Sequence, residues 1–146
     1  MLKEIDIPPL WLAISAAIIW CLGTIVPVEI SFGRPVGWVI ILLGVGLLVG
    51  AMAQMAAQRT SFIPRRNPTA LVTGGLFALS RNPIYLGDAL ILTGLCLIWD
   101  APHGLLLVPI FIWLITQRYI LAEEAQIRQA FGSEFDSYCT QTRRWL

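Results

Sequence analysis

The chain is written in long apolar blocks with its polar residues gathered between them. Leu10 to Val26, Val36 to Ala57, Pro83 to Trp99 and Gly104 to about Ile120 carry the apolar load, and the first two hold no charge. A bilayer-crossing helix needs roughly 20 apolar residues, with about 17 as a lower limit. The second block, at 22 residues, exceeds that length, and the others lie near the limit. The pattern predicts an all-α membrane protein with four transmembrane helices. After the last block, Gln117 to Arg128 keeps an amphipathic helical pattern, so the helix is expected to continue out of the bilayer. Phe131-Gly132 reads as a stop, and Ser133 with Asp136 resembles a capping box for a short final helix. Its apolar face would be Phe135, Tyr138, Cys139 and Thr142.

The connections divide the chain. A short one with Pro27, Glu29, Gly33, Arg34 and Pro35 makes the first two spans antiparallel neighbours. Residues 1–57 thus read as a two-span anchor hairpin. Residues 58–146 read as the catalytic part, the whole forming one compact unit. Gly44, Gly46, Gly50, Ala53 and Ala57 form a small-residue stripe that includes the GxxxG spacing of Gly46 and Gly50, suited to close helix packing. With no strand before it, the stripe is a poor nucleotide-binding loop. Gln58 to Ser80 is the longest connection before the tail, broken by Pro64, Pro68 and Gly74-Gly75. Its segment Leu71-Val72-Thr73-Gly74-Gly75-Leu76-Phe77 could lay backbone against a flat ligand or re-enter the lipid interface, and the pattern favours neither. A tight turn from Asp100 to Gly104 folds the last two spans into a hairpin, bringing the start of the third beside the end of the fourth.

Composition supports the membrane reading and excludes an ordinary soluble domain. Of 146 residues, 57% are hydrophobic and 13% charged, with mean hydropathy +0.74, whereas soluble domains carry about a quarter charged residues. Met1 to Asp6 has one Lys against two acids, and no small-residue cleavage pattern follows, so no cleavable signal peptide is expected. Net charge of +1 gives no sign of a nucleic-acid partner. The placement of the cations says more. With four spans, Lys3, Arg59, Arg65, Arg66, Arg81, Arg118, Arg128, Arg143 and Arg144 share one side and only Arg34 lies opposite. By the positive-inside rule that side is the cytoplasm. Both termini, the C-terminal helical extension and the site are then cytoplasmic, as in a bacterial inner-membrane protein.

Candidate chemistry lies on that side. In Arg81-Asn82-Pro83-Ile84-Tyr85-Leu86-Gly87, Asn82 is a strong N-cap and Pro83 suits the first helical position. A helix start beside a permanent cation is a seat for a carboxylate or phosphate. Glu123 and Glu124 are about 100° apart on a helix, so one is expected to be structural and the other functional. Glu124 and Arg128 stand at i and i+4. Asp88, just inside a span, is expected to pair with Arg81 or Arg118. The only histidine, His103, sits on the outer turn, and Cys21, Cys96 and Cys139 show no metal or redox spacing. No metal centre is expected.

Taken in order, Leu71 to Phe77, Arg81 to Gly87, Glu123-Glu124, Phe131-Gly132, Glu134-Phe135, Tyr138 and Arg143-Arg144-Trp145 resemble the integral-membrane methyltransferases typified by isoprenylcysteine carboxyl methyltransferase. Phospholipid amine methyltransferases share the pattern, which covers about Pro64 to Trp145. The resemblance implies S-adenosylmethionine bound on the cytoplasmic side and a lipophilic methyl acceptor, a prenylcysteine-type carboxylate or a phospholipid amine, reached from the bilayer. It assigns Arg81, Asn82 and Pro83 to the amino-acid end of the cofactor, Tyr85 and Gly87 to the pocket wall, Thr73, Gly74 and Gly75 to the adenine, and Tyr138 to the same pocket. Arg143, Arg144 and Trp145 would close a lid. Glu123, Glu124 and Arg81 are the catalytic candidates. Many members carry His where this chain has Asn82, which cannot act as a base near neutral pH. Two other readings compete: an NADPH-dependent membrane reductase of steroid-reductase type, and a non-catalytic four-helix membrane subunit.

Overall fold

The computed structural model describes residues 7–60 and 69–146. Lys3, Pro64, Arg65, Arg66 and Pro68, used above for charge and loop patterns, lie outside the described residues. Helix α1 spans Pro8–Ile25 and α2 spans Gly33–Ala57. A four-residue helix α3, Leu76–Leu79, precedes α4, Pro83–Ile98. A 3-10 turn, Pro102–Leu106, leads into α5, Leu107–Ile115, which passes through a π turn at Thr116–Ile120 into α6, Leu121–Phe131. Helix α7, Ser133–Gln141, follows. No strand occurs among the described residues.

Among the described residues, three helices are long and apolar enough to cross a membrane: α1, α2 and the 30-residue run Pro102–Phe131. Helix α4 is shorter, with 16 residues. At 1.5 Å per residue it spans about 24 Å, somewhat less than a hydrocarbon core of about 30 Å. The outer faces match this setting, for Trp38, Leu42, Leu43 and Trp113 are all more than half exposed.

The closest packing is between α2 and α4, and small residues make it possible. A Cβ on Gly37 would lie 2.7 Å from the Gly94 carbonyl oxygen, and one on Gly44 would lie 2.7 Å from that of Gly87. Two antiparallel glycine pairs, seven residues apart on each helix, bring the backbones together. The expected GxxxG pair is not the contact: Gly46 faces open space and Gly50 meets the Leu76 side chain. Helix α1 packs on α4 and α5. At the end of the bundle away from Arg81, Gly23 lies against the Trp99 carbonyl, and Arg34 pairs with Asp100 at 2.9 Å. Ile19, Leu92, Cys96, Phe111, Ile115 and Tyr119 fill the centre of the bundle.

A second cluster closes the other end. Ala51, Val72, Phe77, Phe135 and Tyr138 pack together where the loop, α3 and α7 meet α2. Gln54 of α2 ties the loop down, donating to the Gly74 carbonyl at 2.6 Å and accepting from the Leu76 N–H at 3.2 Å. Gly75, with φ +58°, makes the bend that permits both bonds. The Tyr138 hydroxyl donates to the Phe77 carbonyl, and burial pushes that phenol up to about 12, so it stays a donor. The expected stop at Phe131-Gly132 is present, with Gly132 at φ +52°. The capping box is not: Gly132 is the N-cap of α7, and Asp136 pairs with Arg128 at 2.8 Å. Phe135, Tyr138 and Thr142 are buried and Cys139 is half-buried, so the apolar face of α7 packs against the protein. Of the other thiols, Cys96 is buried and Cys21 is exposed.

Candidate functional site

Hairpin closure of α4 against the long last helix brings Arg81 and Tyr85 to Glu123 and Glu124, as the apolar pattern required. The two acids divide their work. Glu124 accepts four N–H donors: Arg81 Nε and Nη2 on Oε1 at 3.2 and 3.0 Å, and Arg144 Nε on Oε1 and Nη2 on Oε2 at 3.0 and 2.7 Å. Glu123 instead accepts the Tyr85 hydroxyl at 2.8 Å. The adjacent acids thus face different ways, and the expected pairing of Glu124 with Arg128 gives way to this clamp.

Arg81 makes further bonds to the tail. Beyond Glu124, its Nη1 donates to the carbonyls of Cys139 and Thr142 at 3.3 and 2.9 Å. Its backbone N–H donates to the Arg143 carbonyl at 3.0 Å. Arg81 and Glu124 side chains are only 12% and 10% exposed, so this charge pair is held away from water and its partners matter. The Glu124 carboxylate also holds the Arg144 guanidinium above its ordinary range. Together these bonds strap the C-terminal tail to the start of α4.

Asn82 joins the strap rather than capping the helix with its side chain. Its Nδ2 donates to the Arg144 carbonyl at 3.0 Å, while its own N–H donates to Ser80 Oγ at 3.1 Å. The buried Ser80 hydroxyl donates in turn to the Arg144 carbonyl. Pro83 does occupy the first turn, where it replaces an N–H that the helix leaves unpaired.

Beside this strap lies a cavity of about 530 Å³, within the usual range for small-molecule sites, about 300–1,000 Å³. Its apolar wall comes from Leu12 of α1, Leu48, Met52 and Met55 of α2, Leu71 and Val72 of the loop, and Ile127 of α6. Its polar groups include Arg81, Asn82, Tyr85, Asp88, Glu123 and Glu124, with Tyr138 at the α7 side. The first two helices therefore contribute to the cavity wall.

Several candidates lie outside the lining. Gly74 and Gly75 are held against Gln54 of α2 and Thr73 is exposed, whereas Ala70, Leu71 and Val72, just before them, face the cavity. Gly87 faces Gly44 of α2, where its missing side chain allows the backbones to touch. Arg143 and Arg144 meet the clamp and not the cavity wall, and Trp145 donates its indole N–H to Thr116 Oγ1 at 3.2 Å. The tail is strapped to the start of α4 and to α6.

Asp88 corrects the sequence expectation most sharply. It is 5% exposed and lines the cavity, yet it forms no ion pair with Arg81, which Glu124 has taken. Arg118 is no partner either, for its guanidinium stacks over Trp11 at 5.1 Å. Tyr85 and Asp88 are three residues apart on α4 and so share a face, a signal present in the sequence.

The model of the phospholipid methyltransferase family matches residues 33–134. The chain belongs to the phospholipid methyltransferase family. No curated protein and no solved structure matches it significantly. Within this family member the match runs from the first residue of α2 to the second residue of α7, and so contains Arg81, Tyr85, Asp88, Glu123 and Glu124. Three membrane-length helices and this membership make it an integral-membrane methyltransferase.

Proposed function

We propose that the protein transfers methyl from S-adenosylmethionine to a lipid-like acceptor at the cavity beside α4, either a prenylcysteine-type carboxylate or a phospholipid amine. When bound, S-adenosylmethionine supplies an electrophilic methyl on a sulfonium. The observation that carries the reading is the cavity itself, apolar-walled and acid-bearing, inside the region that matches the family. The residues fit a ligand with a cationic centre, since the Glu123 carboxylate and the Tyr85 ring both line the cavity. Glu123 and the Tyr85 ring would hold the cationic end. The first turn of α4, whose N–H groups lack helical partners, would meet the cofactor's carboxylate. Arg81 and Glu124 hold the site's shape through their mutual ion pair.

A dry site suits this chemistry, because transfer from a sulfonium to an anion removes charge at both centres. The acceptor would enter from the bilayer between the apolar side chains of α1 and α2. Helix α4 is read as a fourth crossing segment, and the distribution of Lys and Arg supports a cytoplasmic site. Calorimetry on the purified protein in detergent tests the reading. S-adenosylmethionine is expected to bind and NADPH is not. Binding of NADPH alone would transfer the protein to the reductase reading.

A further inference from the structure

We propose that Asp88 is a catalytic residue on the acceptor side of the cavity, where it binds a cationic amine headgroup and takes its proton. This rests on the methyltransferase reading above. Three observations support it independently of any family pattern.

The first is the state of the side chain. Asp88 is 95% buried by its 5% exposure, lines the cavity, and has no hydrogen bond or ion pair among the described residues. A carboxylate whose remaining exposure is to an apolar-walled cavity is poorly solvated without a partner, and an acid inside a membrane helix ordinarily faces a partner or a pathway. Every other acid of the lining is engaged: Glu124 by two guanidinium groups and Glu123 by Tyr85.

The second is depth. Asp88 stands five residues beyond Pro83 on α4, about 7.5 Å further along the axis at 1.5 Å per residue. The adjacent Gly87 packs on Gly44 and Leu48, near the middle of α2. Asp88 is therefore level with the apolar interior of α2, while the Arg81 and Glu124 clamp lies at the helix start. A headgroup carried on a lipid reaches that level from the side.

The third is charge. The lining holds three carboxylates, Asp88, Glu123 and Glu124, against one guanidinium, Arg81. An anionic acceptor would be repelled there, whereas a cationic one would supply what Asp88 lacks.

The step balances. The acceptor ammonium gives one proton to an Asp88 carboxylate oxygen, and its freed lone pair forms the new N–C bond to the sulfonium methyl. The S–C bond breaks with its electron pair left on sulfur as a neutral thioether, and Asp88 passes the proton to water afterwards. A carboxylate acceptor needs no such base.

The test compares wild-type protein, Asp88→Asn and Asp88→Glu in detergent, with three readouts: S-adenosylmethionine affinity by calorimetry, thermal midpoint, and methylation of an ethanolamine-headgroup phospholipid or a prenylcysteine analogue. Asp88→Asn is expected to keep the cofactor affinity within about 2-fold and to melt no lower than wild type. Its amine methylation should fall about 100-fold or more, the usual scale for loss of a general base. Asp88→Glu should recover part of it. Amine methylation by Asp88→Asn within about 3-fold of wild type, or a loss of cofactor affinity equal to the loss of rate, would overturn the proposal. Wild-type protein that binds S-adenosylmethionine but methylates only the carboxylate analogue would overturn it while leaving the methyltransferase reading intact. Wild-type protein that binds no S-adenosylmethionine would overturn both.

Discussion

Replacing Glu124 with Gln keeps the side-chain shape and removes the charge that Arg81 and Arg144 share. Arg81 would remain 12% exposed, a cation shielded from water with only neutral acceptors, the carbonyls of Cys139 and Thr142 and the new amide oxygen, to receive it. Removing one partner of a buried pair costs about 3–5 kcal/mol. The two carbonyls place this case at the lower end, about 3 kcal/mol. Each kcal/mol shifts the midpoint of a chain of this size by about 2–4 °C, so Glu124→Gln should melt on the order of 10 °C below wild type. Arg144 is 36% exposed, so solvent screens its share, and Arg144→Gln should cost only about 1 kcal/mol. Thermal unfolding in detergent, followed by tryptophan fluorescence, measures both. The order matters as much as the size. If Glu124→Gln melted within about 2 °C of wild type, or if Arg144→Gln were the more damaging change, the clamp would not hold the tail to α4 as described.

Two further changes probe the scaffold. Gly44→Leu drives a side chain into the Gly87 carbonyl, where even a Cβ would sit at 2.7 Å. It should cost at least the ~1–3 kcal/mol of an overpacked core, whereas Gly46→Leu, facing open space, should change the midpoint little. Gln54→Ala removes both bonds that hold the loop to α2, worth about 1 kcal/mol each, and should speed hydrogen exchange at Leu76 ahead of the core amides of α4.

Much of this architecture was legible before any coordinates. The apolar blocks marked the helices, and hairpin closure followed from the tight turn at Asp100 to Gly104. That closure was enough to bring Arg81 and Tyr85 to Glu123 and Glu124. The separation of the two acids followed from helical geometry alone. What escaped was set by tertiary contacts. Asn82 prefers to cap in isolation, yet its amide is drawn to the Arg144 carbonyl, 62 residues away. Arg81 suits an anionic ligand, yet it spends its donors on Glu124 and two carbonyls of the tail. The glycine contacts between α2 and α4 use Gly37 and Gly44 with Gly94 and Gly87. Their matching seven-residue spacings were visible, but the nearer GxxxG pair drew attention away. Asp88 was expected to find an arginine because a lone buried acid is costly. That rule reads a structural cost correctly and misses the case in which the cost is kept for a ligand.

The most direct measurement of the central claim is transfer of labelled methyl from S-adenosylmethionine, using purified protein with total membrane lipid and with prenylcysteine analogues. Arg81→Ala and Glu123→Ala serve as controls. Label should enter a lipid-soluble product with wild-type protein and fall sharply in both variants, Arg81→Ala through loss of the clamp and Glu123→Ala through loss of the Tyr85 contact. Folded wild-type protein that transfers no label to any lipid fraction, or variants that transfer it at the wild-type rate, would contradict the account.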